Sequence, residues 1–186
     1  MSDPAHGLEL RDDLVVLRDF VPEDRAAFID WAADEPMYTY MPWRLDGPDA
    51  AAAEFERLLR HPERTNPTRR HWYLAVTTTT EGRFCGTAGF DHRRDGLGEF
   101  GWYLSSPYWD RGYATAATSL LLGFGFQVVR VPAIVATCDP DNARSRRVLE
   151  KSGLRHVGDE TIETWRGQRP RLRFEVSAAE YTEGRA

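Results

Sequence analysis

Leu14 to Arg18 is a short apolar run suited to a strand. Pro22, Glu23 and Asp24 then place a proline and two acids in the first turn of a helix that runs to about Ala33. Asp46-Gly47-Pro48 opens a second helix through Arg60, stopped by Pro62, and the segment between the two helices carries Tyr38, Tyr40 and Trp43, a composition suited to lining a site. From His71 the period changes: His71 to Thr78, Phe84 to His92 and Leu97 to Ser105 are β-branched or aromatic runs separated by the turn signals Glu81-Gly82 and Arg94-Asp95-Gly96, which predicts an antiparallel meander. After the loop Ser106 to Gly112, the residues Ala114, Ala117, Leu121, Phe124 and Val128 recur at helical spacing, giving a helix to about Val128. Pro132 to Thr137 reads as a buried strand. Asp139-Pro140 starts a further helix that ends at Ser152-Gly153, with the glycine as its C-terminal cap. Two last strands, near Leu154 to Thr164 and Arg171 to Val176, turn at Arg166-Gly167-Gln168. The order is βααβββαβαββ, an α+β chain.

Composition narrows the class. A chain of 186 residues, 41% hydrophobic and 28% charged, fits one globular domain and not a disordered one. No repeat or low-complexity segment interrupts it, so residues 1–186 read as a single domain with a core of about 8–180. No apolar run approaches the ~20 residues of a membrane helix, and Met1 to Arg11 is polar and acidic where a secretory signal is basic then apolar, which predicts a cytoplasmic protein. Cys85 and Cys138 show no CxxC or Cys/His spacing, so they are expected as free core thiols, with no metal site.

Charge is uneven along the chain. Residues 1–60 carry a net charge of −8 and residues 61–186 a net charge of +3. That acidic front argues against nucleic acid as the main ligand and suits a cationic acceptor, although solvated acidic helices that only keep the protein soluble give the same pattern. Of the 24 basic residues Lys151 is the one lysine, a bias read as compositional.

The densest chemistry lies at Pro107-Tyr108-Trp109-Asp110-Arg111-Gly112-Tyr113-Ala114-Thr115, between a predicted strand and a predicted helix. Backbone amides at such a junction point outward unpaired and the helix dipole adds positive potential, so a pyrophosphate can be held there without lysine. Gly112 permits close approach and Ala114 keeps the first turn open. Taken alone, a Gly-x-Ala at a helix start is also an ordinary packing or turn feature. Neither GxxxxGK[ST] nor GxGxxG occurs, which removes the usual support for a nucleoside triphosphatase or a dinucleotide oxidoreductase.

A second segment, Asn142-Ala143-Arg144-Ser145-Arg146-Arg147-Val148-Leu149-Glu150-Lys151-Ser152-Gly153-Leu154, adds specificity. With it the chain resembles the GNAT superfamily of N-acetyltransferases, and within it the RimJ/RimL branch, whose members carry WGKGYA and, about thirty residues later, NxxSxRVLEKxGF. Here these read WDRGYA at 109–114 and NARSRRVLEKSGL at 142–154. Element order extends the resemblance over about residues 8–180, the first 70 matching in pattern only.

The resemblance implies a mixed, mostly antiparallel central sheet flanked by helices, with acetyl-CoA as cosubstrate in a cleft where Leu97 to Ser105 splays from Pro132 to Thr137. Backbone groups near Trp102, Tyr103 and Leu104 would pair with pantetheine. Asp110, Arg111, Gly112, Tyr113 and Ala114 would hold the pyrophosphate. Asn142 would bond to the pantetheine arm, and Ser145, one helical turn on, would approach the thioester sulfur; as plain residues, Asn142 is equally a helix-start polar group and Ser145 a solvated helix position. Asp110 stands where the family has Gly, an unfavourable acid unless it turns to solvent. Leu149 stands where many relatives carry a tyrosine that protonates the departing thiolate, which leaves Ser145 as the candidate on that helix.

The reaction implied is direct attack of a neutral amine on the thioester, with the oxyanion held by backbone amide. Glu99 is the carboxylate on the central strand that would draw the amine proton, and a surface-facing Glu99 is equally compatible with the pattern. An α-amine of pKa ~7.7 to 8.0 is already substantially neutral near pH ~7.5 and needs little help, whereas a lysine amine is not. The acceptor is a protein N-terminal amine or a small-molecule amine. The alternative is a noncatalytic acetyl-CoA sensor. Trp31, Tyr38, Tyr40, Trp43, Trp72 and Trp165 divide between acceptor pocket and core, with core expected for at least half. Monomer and homodimer both stay open.

Overall fold

The computed structural model describes residues 7–61 and 68–183. Eight strands form one sheet in the order β1-β2-β3-β4-β5-β6-β8-β7. They are β1 (Glu9–Arg11), β2 (Val15–Asp19), β3 (His71–Thr78), β4 (Phe84–His92), β5 (Gly98–Leu104), β6 (Ala133–Cys138), β7 (Arg155–Thr164) and β8 (Gly167–Ser177). Every neighbouring pair is antiparallel except β5 with β6. The helices are α1 (Arg25–Ala32), α2 (Gly47–Leu59), α3 (Tyr113–Gly123), α4 (Ala143–Lys151) and α5 (Ala178–Glu183). The mixed, mostly antiparallel α+β sheet expected from the sequence is the one observed.

Side-chain alternation divides the core between two faces of the sheet. On one face, Leu17, Leu74, Phe90, Ile134 and Phe174 meet Ala117 and Leu121 of α3 and Leu149 of α4. On the other, Phe20 and Ala75 meet Phe28 and Trp31 of α1 and Phe55 and Leu58 of α2. The buried residues of α2, Ala51, Phe55 and Leu58, recur at i, i+4 and i+7, so one stripe of the helix faces the sheet. Phe20, Phe28 and Phe55 pack with ring centroids 5.6 to 5.9 Å apart. Each such ring contributes about 1.5–3 kcal/mol by leaving water. Both cysteines are free and buried, and burial pushes the Cys85 thiol up to about 12 and the Cys138 thiol up to about 11.

Several boundaries differ from the sequence reading. The helix after Gly112 gives way to a π-helical turn over Phe124–Val129, closed by Arg130 in the left-handed region, where Gly123 and Gly125 weaken the α-helical preference. The last strand starts at Gly167, not Arg171. Pro170 sits within it opposite Thr161, and β6 pairs no further along β8 than Leu172, so the missing proline N–H breaks no ladder on that side. β1 and α5 are additional elements, too short for a period to show. Pro62, expected to stop the second helix, lies outside the described residues; that helix ends at Leu59 with Arg60 as its cap.

A β-bulge in β4 shapes the middle of the sheet. Val76 pairs with Gly86 but Thr77 pairs with Phe84, which leaves Cys85 as an extra residue. Gly86 has φ 154°, and a Cβ there would strike the Tyr103 carbonyl oxygen and lie 2.8 Å from the Leu104 Cα. Neither is a flexible side chain, so the neighbouring strand itself would have to move. Gly86→Ala is therefore expected to destabilise the protein by about 1–3 kcal/mol, read as a lower urea midpoint at unchanged slope.

Candidate active site

β5 and β6 are paired through only two residue pairs, Gly98 with Ile134 and Glu99 with Val135. Beyond these, β5 continues to Leu104 and β6 to Cys138 without bonding to each other, so the sheet opens between them. The Ser105 amide bonds to the Cys85 carbonyl at 2.9 Å, which fixes the alternation of β5. Its odd residues turn their backbone groups to β4, and the even ones, Phe100, Trp102 and Leu104, turn theirs to the opening. A cleft of about 1230 Å³ runs through this gap and is lined from both faces of the sheet.

At one end of the cleft lies the start of α3. Gly112 caps it with φ 85°, a left-handed conformation that side-chain-bearing residues adopt at a cost, and no side chain caps the helix. The first-turn amides of Tyr113, Ala114 and Thr115 therefore have no intrahelical partner, an arrangement suited to an anion. Asp110, also at positive φ, is 69% exposed and its carboxylate pairs with Arg144 of α4 at 3.1 Å. The Arg144 guanidinium lies 5.3 Å over the Trp109 ring, while the Trp109 indole donates to the Leu104 carbonyl at 2.8 Å. Strand, loop and α4 are thus tied together around the helix start.

α4 forms the adjoining wall. The Asn142 side-chain oxygen accepts from the Ser145 amide at 3.0 Å, so Asn142 caps the helix while its NH2 group remains available, and the Ser145 hydroxyl lines the cleft. Arg144, Arg147 and Lys151 recur at i, i+3 and i+7 along the same wall. Leu149 is 0% exposed in the core and does not line the cleft.

The other half of the cleft is the α1–α2 face of the sheet. Glu99, half-exposed, lines it beside Asp91, its register partner on β4. Arg93 donates to Glu99 at 2.7 Å, and His71 Nδ1 lies 2.6 Å from Asp91. Burial pushes the Tyr103 phenol up. Trp43 packs edge-on to Tyr103, with centroids 5.1 Å apart, and Trp31 donates its indole N–H to the Tyr103 carbonyl at 3.0 Å. The β7–β8 hairpin roofs this half: the Trp165 amide donates to the Pro42 carbonyl at 3.1 Å and Arg171 donates to the Tyr40 carbonyl at 3.0 Å.

Residues 15–155 match the family model described as the acetyltransferase (GNAT) domain. The chain belongs to the GNAT acetyltransferase family. Within that family it is of the RimJ/RimL-like kind. It is 40% identical over 60 residues to the uncharacterized N-acetyltransferase YnaD of Bacillus subtilis, a stretch covering 32% of this chain and 35% of that one, so the match spans about a third of the length of that relative. Its fold is similar to a GNAT acetyltransferase structure from Bacillus anthracis, with TM-score 0.79 and 21% identity over 92% of this chain and 99% of that one. It is also similar to Mycobacterium smegmatis RimJ in complex with CoA-disulfide, with TM-score 0.74 and 22% identity over 96% and 93% of the two chains.

Within this GNAT cleft the structure brings together Trp102, Leu104, Asp110, Gly112, Tyr113, Ala114, Asn142, Ser145 and Glu99, all on its lining. Tyr103 contributes its side chain, but its backbone faces β4. Arg111 is exposed and off the lining. Of the six aromatics proposed for pocket or core, Trp31, Tyr40 and Trp43 line the cleft, whereas Tyr38 and Trp72 pack in the core and Trp165 lies on the surface under Arg44 and Arg166. Among the described residues no helix is long and apolar enough to cross a membrane, and no cluster of three potential metal ligands occurs.

Sequence reasoning missed Asp34, whose carboxylate accepts from both the Ser106 amide and the Ser106 hydroxyl, 72 positions away. It pins the loop that leads into the helix start. The Asp34–Ser106 spacing offered no local signal, since neither residue belongs to a motif. Hydrogen bonds to a charged group contribute about 1.5–3 kcal/mol, so Asp34→Ala is expected to lower stability by that order, measured by chemical denaturation, and Asp34→Asn by less.

Proposed function

We propose that residues 1–186 form one N-acetyltransferase domain, with a core of about 8–180, which moves the acetyl group of acetyl-CoA to a primary amine by direct attack. The observation that carries this reading is the gap between β5 and β6, which leads straight to the uncapped start of α3. The backbone N–H and carbonyl of Trp102 and the N–H of Leu104, whose carbonyl already accepts from the Trp109 indole, offer strand-like pairing to the pantetheine arm. The amides of Gly112, Tyr113 and Ala114 meet the pyrophosphate. Arg144, Arg147 and Lys151 bring positive charge to the same wall, and Arg144 neutralises Asp110. The bound CoA of the RimJ neighbour supports the choice of cosubstrate.

Acetyl-CoA supplies the activated acyl group; the protein supplies placement and proton handling. Glu99 stands at the vertex of the gap, on the last paired residue of β5, and takes the amine proton directly or through water. Backbone N–H groups at the opening face the charge that grows on the carbonyl oxygen. As the N–C bond forms and the C–S bond breaks, the Ser145 hydroxyl donates to the leaving sulfur. Leu149 takes no part, because a tyrosine at its place would belong to the core and not to the cleft. The acceptor is a primary amine, of a protein N-terminus or of a small molecule.

Thiol release from acetyl-CoA over a panel of amines tests the reading: amine-dependent release supports it, while tight acetyl-CoA binding with none for any amine makes the chain a sensor. Gly112→Asp is expected to weaken acetyl-CoA at least tenfold by calorimetry, because it sets a carboxylate among the amide donors while aspartate tolerates the left-handed backbone. Ser145→Ala keeps its backbone N–H to Asn142 and is expected to lower kcat about 10- to 1,000-fold with acetyl-CoA affinity nearly unchanged, since its bond strengthens mainly as thiolate charge develops.

A further inference from the structure

Arg171 lies on β8, facing the acceptor half of the cleft, and is only 5% exposed. A guanidinium removed from water needs a counter-charge or a full set of acceptors. Arg171 has neither among the described residues. Its one hydrogen bond goes to a neutral group, the Tyr40 carbonyl at 3.0 Å, and its Nε is buried without any partner. Glu160 stands opposite it in the β7–β8 register, yet no carboxylate of the described residues forms an ion pair with Arg171. The other arginines of the region are satisfied or solvated: Arg93 by Glu99, Arg144 by Asp110, Arg166 by the Trp165 ring. Arg171 also lines a smaller cavity of about 250 Å³ beside the cleft, together with Arg166, Arg169, Asp139 and Asp141, and neither of these two carboxylates forms an ion pair with it.

Within the cleft, Asp91 and Glu99 lie on the β4–β5 wall and Glu54 of α2 is paired with Arg57, while Asp139 and Asp141 line only the smaller cavity. One wall therefore suits an ammonium or amine and the other an anion. We infer that the acceptor carries a carboxylate alongside its amine, and that Arg171 is the residue that binds it. The amine end of this inference rests on the acetyltransferase reading; the carboxylate end rests on Arg171 alone. The carboxylate belongs to a free amino acid or to an acidic residue near a peptide N-terminus, and guanidinium recognition is the same in both.

The test uses matched acceptors: free amino acids against their amides, and short peptides with Asp or Glu at the second position against the same peptides with Asn or Gln. KM is read from thiol release for the wild type, Arg171→Met and Arg171→Lys. The wild type is expected to favour the carboxylate member of one pair type at least tenfold in KM, and which type it is identifies the source of the carboxylate. Arg171→Met is expected to erase that preference by raising KM for the carboxylate member roughly tenfold or more, with the neutral member and acetyl-CoA affinity unchanged, while Arg171→Lys keeps part of it. Glu160→Gln is expected to leave the preference in place.

Equal KM values for both members in the wild type would overturn the inference. So would an equal rise for both in Arg171→Met, which marks a structural role in holding the Tyr40 segment, or loss of the preference in Glu160→Gln. If no amine is acetylated, the transferase reading fails by itself, and equilibrium binding of the same pairs, read from tryptophan fluorescence of the cleft residues Trp31 and Trp43, still decides on Arg171.

Discussion

Two residue pairs, Gly98 with Ile134 and Glu99 with Val135, hold the halves of the sheet together, and the site depends on there being only two. Each half is otherwise complete: β5 spends its odd residues on β4, and β6 pairs with β8 along six residues. Apart from the Leu104 carbonyl, which accepts from the Trp109 indole, the outer edge of β5 from Trp102 on is left facing a cleft where backbone groups need a partner. The halves separate without coming apart because the core beneath them is continuous, with Phe90, Ile134 and Phe174 in one cluster. The bulge at Cys85 adds local twist to β4 beside the far end of β5, where the strands diverge.

Charge around the cleft is arranged for position more than for stability. Exposed pairs such as Arg144 with Asp110 contribute about 0–1 kcal/mol, too little to hold a fold but enough to orient the loop beside the start of α3. The pair of Asp19 with Arg69 differs, since both side chains are buried and Asp19 also accepts from the Leu8 amide. Breaking one partner there strands a charge, so that pair fastens β2 to the chain entering β3. Part of the acidic front is taken up by local pairs, Asp24 with Arg18 and Glu35 with Arg44 among them, and the segment keeps its net charge of −8.

Periodicity is a local property, and the elements it governs were legible: the meander, α2 and the helix after Gly112 lie within a few residues of where the sequence puts them. The cleft residues of the two motifs were legible for the same reason, since Trp109 to Ala114 and Asn142 to Leu154 are continuous segments. What stayed hidden depends on register or on contacts far apart in the chain. The alternation of β5 hangs on the Ser105–Cys85 bond, so nothing in the sequence told Tyr103 from Trp102 as a backbone partner. The same holds for Glu99, whose facing is settled only once β4 and β5 are in register. Arg171 reads as one surface arginine among many until the segment 131 positions earlier folds over it.

Lys151 gives the arginine-rich composition a chemical meaning. Guanidinium groups stay protonated and do not attack thioesters, whereas a lysine amine does whenever it is neutral. Arg144 and Arg147 therefore bring positive charge to the cleft wall without offering a nucleophile, and the one side-chain amine of the whole chain is the last residue of α4. For the proposed acetyl transfer, a wall built mainly of arginine would expose its reactive acyl donor to a single side-chain amine, that of Lys151.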